Sequence, residues 1–225
     1  QLVKDIVPGP MGSNPEVMGV MDTMALLYAS TPQYGRELWS SMGDENTTAL
    51  VKDLLPGVGG SVPTAPRVLV GKGMAYVVAL TDAARGNCLW RYRFATNSLD
   101  FVADVSEETH HMDLLGDTLF FAQTEEEHGA ELWRCDADAT APQLFADLLP
   151  GPQGSEPGQI FAWKDRLFFQ ARDPEHGLEL WCTEATGQPQ LLADIAAGPQ
   201  GSDPYGFQGD DAGVYFSADD GVHGR

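Results

Sequence analysis

Leu144-Phe145-Ala146-Asp147-Leu148, followed by Pro150-Gly151 and then Gly154-Ser155-Glu156-Pro157, is the stretch that decides the fold, because the chain writes it again and again. Leu2-Val3-Lys4-Asp5-Ile6 leads to Pro8-Gly9 and Gly12-Ser13-Asn14-Pro15. Leu50-Val51-Lys52-Asp53-Leu54 leads to Pro56-Gly57, Gly60-Ser61 and Pro63. Leu191-Leu192-Ala193-Asp194-Ile195 leads to Gly198-Pro199 and Gly201-Ser202-Asp203-Pro204. A fifth copy, Phe101-Val102-Ala103-Asp104-Val105, has exchanged its turn for Ser106-Glu107-Glu108-Thr109-His110-His111. The aspartate recurs at Asp5, Asp53, Asp104, Asp147 and Asp194, in steps of 48, 51, 43 and 47 residues.

A second marker keeps the same beat. Glu37-Leu38-Trp39, Cys88-Leu89-Trp90, Glu131-Leu132-Trp133 and Glu179-Leu180-Trp181 each follow a glycine (Gly35, Gly86, Gly129, Gly177). Two markers in phase exclude coincidence and define a tandem repeat. Within the fourth copy, Gln159–Trp163, Arg166–Ala171, Gly177–Thr183 and Leu191–Ile195 read as strands, short, apolar and bounded by Gly, Pro and Asp. Four strands in about 47 residues, repeated in tandem, predict an all-β chain of β-propeller blades. The expected layout is one propeller domain, or part of one, over 1–225, with an outer strand at 2–6. Blades are expected near 14–54, 62–105, 111–148, 156–195 and, incomplete, 203–225. The last copy stops at His223-Gly224-Arg225, where Glu-Leu-Trp is due, so a longer parent chain is expected. The first residue, Gln1, is neither a Met nor part of a signal pattern, so a leader is expected to be absent or removed.

The paired motifs resemble the ELWxxDGT repeat, a hyalin-type repeat of large bacterial surface and secreted proteins. The likeness covers essentially the whole chain, although the Asp-Gly-Thr after the Trp has become Met42-Gly43-Asp44, Asp136-Ala137-Asp138 and Glu184-Ala185-Thr186. The resemblance implies an extracellular or cell-surface β-propeller and brings no catalytic residues with it.

Composition narrows the partners. Thirteen basic against thirty-three acidic side chains give a formal charge of −20, which disfavours nucleic acid and anionic membrane. No apolar run reaches the roughly 18–20 residues of a membrane-spanning helix. Hydrophobic content of 43% excludes intrinsic disorder.

Most residues of the repeat read as structural. The recurring aspartates are expected to accept backbone N–H bonds from the following turn. The alternative, calcium, lacks a D-x-D-x-D-G loop. His128, His176 and His223 share one turn position, taken by Tyr34 and Arg85 in the first two blades, and are expected to stabilise that turn. Trp39, Trp90, Trp133 and Trp181 are expected to pack between blades. Cys88, Cys135 and Cys182 fall in different blades and are expected to stay unpaired. No P-loop, dinucleotide fingerprint or nucleophile elbow is present, so no enzyme is expected, and no cofactor.

Departures from the repeat carry the functional expectation. Asp82, Arg85, Glu107, Glu108, His110, His111 and Asp113 lie where two consecutive blades deviate, in b–c and d–a connections that emerge on one face of a propeller. They form the candidate binding surface. Their carboxylates and imidazoles are zinc-ligand types, but neighbouring histidines on an extended chain point apart, so one ion rarely takes both. The expected function is a non-enzymatic interaction or scaffold module, within a larger protein or assembly, that binds a protein or matrix partner at the cell surface. A lectin-like propeller binding glycans through one shallow site per blade is the alternative. A hydrolase or lyase using paired carboxylates is the third class.

Overall fold

The structure is a computed structural model and describes residues 2–62, 67–82 and 85–224, apart from the side chain of Asp82. It is all-β, built of the four-stranded antiparallel blades of a β-propeller. The first sheet runs β1 (Glu16–Met21), β2 (Met24–Thr31), β3 (Gly35–Ser41) and β4 (Ala49–Lys52), in sequence order. The second follows with β5 (Val68–Val70), β6 (Met74–Asp82), β7 (Gly86–Arg93) and β8 (Ser98–Asp104). The third has β9 (Met112–Leu115), β10 (Thr118–Glu125), β11 (Gly129–Cys135) and β12 (Gln143–Ala146). The fourth has β13 (Gly158–Trp163), β14 (Arg166–Asp173), β15 (Gly177–Glu184) and β16 (Gln190–Ala193). A hairpin of β17 (Tyr205–Gly209) and β18 (Val214–Ser217) is the fifth sheet among the described residues. The chain divides into two compact units, Gln1–Val105 with two sheets and Ser106–Arg225 with the rest.

Each strand alternates its side chains between the sheet's two faces, and within each unit neighbouring blades pack face to face. In the first unit, Leu26, Tyr28 and Leu38 of one blade form a single cluster with Ala75, Val77, Trp90 and Tyr92 of the next. In the second unit, Phe120, Ala122 and Leu132 cluster with Ile160, Leu167 and Phe169, with Trp181 packed against them. Phe168 and Leu180 then face Phe207 and Val214 of the hairpin. Leu38, Leu132 and Leu180 therefore point to the blade that follows, and Trp90 and Trp181 to the blade before.

Three details depart from the sequence reading. Residues 2–6 form no strand, and Lys4 instead donates to Glu45 O and Thr48 O at 3.2 and 2.8 Å. The other outer strands each pair with a Trp-bearing strand (β4 with β3, β12 with β11), and among the described residues none pairs with residues 2–6. The fourth outer strand stops at Ala193, because the next residues turn so that Ala196 N reaches the Glu179 carboxylate at 3.0 Å. Trp39 and Trp90 are buried, whereas Trp133 and Trp181 are half-buried, and Trp181 donates its indole N–H to Ala171 O at 3.0 Å.

Trp90 is the strongest test of the inter-blade core. It sits edge-on to Phe101 at 5.5 Å, with the Lys52 ammonium 4.5 Å over its ring. Trp90→Ala is expected to cost roughly 3–5 kcal/mol, read as a lowered urea midpoint with an unchanged slope. An unchanged midpoint would remove Trp90 from the core.

Candidate functional site

The turn between blades is built around a buried carboxylate. Glu131 of β11 has no exposed surface. It accepts the backbone N–H groups of Leu148, Leu149 and Ser155 at 3.2, 3.0 and 2.8 Å, and the Ser155 hydroxyl at 2.6 Å. Glu37 holds Leu54 N, Leu55 N and the Ser61 hydroxyl at 3.3, 3.3 and 2.5 Å. Glu179 holds Ala196 N at 3.0 Å and the Ser202 hydroxyl at 2.5 Å. Burial pushes the Glu37 and Glu131 carboxyls above the ordinary range, against hydrogen bonds that pull them down. Beside each serine, Gly60, Gly154 and Gly201 lie against the backbone of Arg36, Ala130 and Leu178. A Cβ on Gly154 would overlap the Ala130 backbone, so glycine is required there.

This overturns the role expected of the aspartates. The turn N–H groups that a carboxylate accepts go to the glutamates, while Asp5, Asp104, Asp147 and Asp194 stay exposed and Asp53 is half-buried. Two of the aspartates serve the b–c turn instead. Asp147 meets His128 Nδ1 at 2.9 Å, and Asp104 meets Arg85 at 3.0 Å. His176 and His223 bond Asp173 and Asp220, three residues earlier, at 2.8 and 2.7 Å. The matching position before His128 is Glu125, and His128 turns to Asp147.

The two departures in the candidate surface share a structural cause. Where Glu37, Glu131 and Glu179 are present, the following turn keeps Gly-Ser; where Cys88 replaces the glutamate, the following turn has lost it. Cys88 is buried, its Sγ 2.8 Å from Thr81 Oγ1 and 3.4 Å from Asp104 Oδ1. Arg85 also spreads over the Phe101 ring at 5.0 Å. Cys88, Cys135 and Cys182 are buried and are not joined by a disulfide.

Residues Glu107–His110 form a 3-10 turn anchored by Thr109, which is fully buried. The Thr109 hydroxyl donates to Ala122 O at 3.1 Å, and Ser106 N donates to the Gln123 side-chain oxygen at 3.0 Å. Thr124 reaches Glu108 at 3.2 Å. Burial pushes the Glu108 carboxyl up, but hydrogen bonds from its own N–H, Ser106 and Thr124, with the His110 charge, leave it below the ordinary range. His110 Nδ1 sits 2.6 Å from Glu107 O.

Placement of the seven expected surface residues is uneven. Glu107, Glu108 and His110 are exposed on this turn, and His111 is half-buried. The His110 and His111 rings do not diverge but touch, with centroids 4.0 Å apart, because His110 ends the 3-10 turn and only His111 is extended. Asp113 is committed to the scaffold: it accepts Ala162 N at 2.8 Å and Leu114 N at 2.8 Å. Arg85 belongs to the first unit and Glu107–Asp113 to the second. The Asp82 side chain lies outside the described residues. Among the described residues no group of three His, Cys, Asp or Glu side chains is placed to hold a metal ion. The buried glutamates are what sequence reading missed. Their signal was the joint loss of Glu and Gly-Ser in a single copy.

No family model matches the chain, and no curated protein matches it. Solved structures do. A prolyl endopeptidase is 12% identical with a TM-score of 0.47, over 86% of this chain and 29% of its own. A putative TolB from Agrobacterium tumefaciens is 9% identical with a TM-score of 0.47, over 87% of this chain and 70% of its own. TolB from Acinetobacter baumannii is 10% identical with a TM-score of 0.48, over 89% and 48%. This chain thus spans from under a third to about 70% of the structures it is similar to. Such likenesses concern the fold alone.

Two outcomes follow from the turn chemistry. Glu131→Ala strands three backbone N–H groups and a serine hydroxyl in a buried turn and is expected to cost about 3 kcal/mol or more. A thermal melt that does not move would show that the turn holds without the carboxylate. The Asp173 carboxylate, bonded to the ring, holds the His176 imidazole above its ordinary value. Asp173→Asn is expected to lower the His176 midpoint in an NMR titration; an unchanged midpoint would break the pairing.

Proposed function

We propose that the chain is a non-enzymatic interaction module of an extracellular or cell-surface protein, with the turn Ser106–His111 as its contact surface. The observation that carries this reading is the build of that turn. Thr109, Ser106 and Gln123 fix its backbone from inside, while Glu107, Glu108 and His110 present their charges to solvent. A loop ordered before its partner arrives loses little entropy on binding. Its side chains differ from those of every other turn in the repeat, which suits a single specific contact better than one equivalent site per blade. The ELWxxDGT-like repeat supports the surface setting, and the acidic charge favours a partner with basic groups.

Glu107→Ala, Glu108→Ala, His110→Ala and His111→Ala combined are expected to abolish capture from panels of secreted proteins and matrix components. Stability should move by no more than about 0.5–1 kcal/mol, since most of the four are exposed. Capture should also weaken as salt rises. Full capture by the fourfold variant would reduce the loop to a replacement turn, and signals confined to a glycan array would favour the lectin reading.

A further inference from the structure

Asp44-Glu45-Asn46-Thr47-Thr48 lies in the hairpin turn between β3 and β4 and holds the single Asn-x-Ser/Thr triplet of the sequence. Asn14 precedes Pro15, and Asn87 and Asn97 have Leu89 and Leu99 two places on. The turn engages the side chains around this asparagine. Asp44 Oδ1 accepts Asn46 N and Thr47 N at 2.9 and 3.0 Å. Thr47 Oγ1 accepts Met42 N at 3.2 Å and donates to Asp44 O at 3.3 Å. Thr48 is 4% exposed, and its hydroxyl donates to Asp44 O at 2.7 Å and meets Ser41 Oγ at 2.7 Å.

The Asn46 side chain is the exception. It is exposed, and among the described residues its carboxamide has no hydrogen-bond partner. That exposure belongs to the turn in every four-stranded sheet: Asn97, Thr140 and Gln188, in the matching hairpin turns, are exposed too. The turn needs the acid and both threonines but makes no use of an asparagine. A free carboxamide followed two residues later by a hydroxyl is the acceptor for oligosaccharide transfer, and a surface turn is where the product is tolerated.

We infer that Asn46 is an N-glycosylation site, modified by an oligosaccharyltransferase that also grips the Asp44 carboxylate two residues earlier. The inference rests on the extracellular setting proposed above. The Asn46 side-chain nitrogen attacks the anomeric carbon of an oligosaccharide carried on a polyprenyl pyrophosphate. A C–N bond forms as the C–O bond to the pyrophosphate breaks. The lipid pyrophosphate leaves with the electron pair, and the amide proton passes to a base of the transferase. Thr48 sets the timing. Its hydroxyl is inside the closed turn, so the transferase meets this segment before β3 and β4 pair, when Asp44 is also free of its two N–H donors. Once the blade closes, the glycan stands in solvent and costs the fold no contact.

The whole chain, exported by an added leader from a bacterial host that makes a lipid-linked oligosaccharide and its transferase, tests this by intact mass and peptide mapping. One glycan on Asn46 is expected. Asn46→Gln and Thr48→Val should lose it, and Thr48→Ser should keep it. Asp44→Asn retains an acceptor oxygen for the turn but should lose most of the glycan. Purified folded chain given the same transferase and lipid-linked oligosaccharide should gain no mass. A wild-type chain left bare while a control acceptor in the same cells is modified would overturn the inference. So would a glycan that survives Asn46→Gln, Asp44→Asn modified as fully as wild type, or folded chain modified as fully as exported chain. Capture through Ser106–His111 is read separately, so its failure with Asn46 still modified removes the interaction reading and leaves this one standing.

Discussion

A carboxylate with no exposed surface holds each regular turn between blades. Burying a charge in an apolar setting is costly unless donors converge on it, and here backbone N–H groups and a serine hydroxyl do. Glu131 satisfies four donors at once. The turn could not be buried otherwise, because its N–H groups would have no acceptor. The glycine beside the serine follows from the same contact, since the turn backbone lies directly on the backbone of the Trp strand. The conserved-looking Glu, Gly and Ser of this repeat are therefore one device in three pieces.

That device explains how side chains with opposite preferences share three consecutive positions. In Glu131-Leu132-Trp133 the leucine faces forward into the cluster with Ile160 and Phe169. Glu and Trp lie on the other face, two residues apart, as strand alternation demands. Apolar packing holds neighbouring blades together, and the glutamate fixes the turn that leads from one to the next.

Sheet architecture was legible because two markers recur in phase and the strands between them are short and apolar. The role of the aspartates was not legible. Asp and Glu are both turn-adjacent acids in the sequence, and only burial separates the one that binds the turn from the one that pairs with His128 or Arg85. The divergence of His110 and His111 was misjudged because residues 107–110 coil into a 3-10 turn, a choice made by the burial of Thr109 rather than by the histidines. Asp113 looked like one more surface acid. Its carboxylate is spent on Ala162 N, 49 residues away in sequence, which no local pattern reveals.

The span of the glutamate contact also sets the length by which such a chain can grow or shrink. Glu and Ser lie 24, 24 and 23 residues apart in the three regular copies, so each clamp ties the Trp strand of one blade to the turn that opens the next. Inserting or removing one whole repeat rejoins every glutamate to a serine wherever the boundary falls. A cut between the two partners of one clamp leaves a glutamate without its serine and a buried turn without its acceptor.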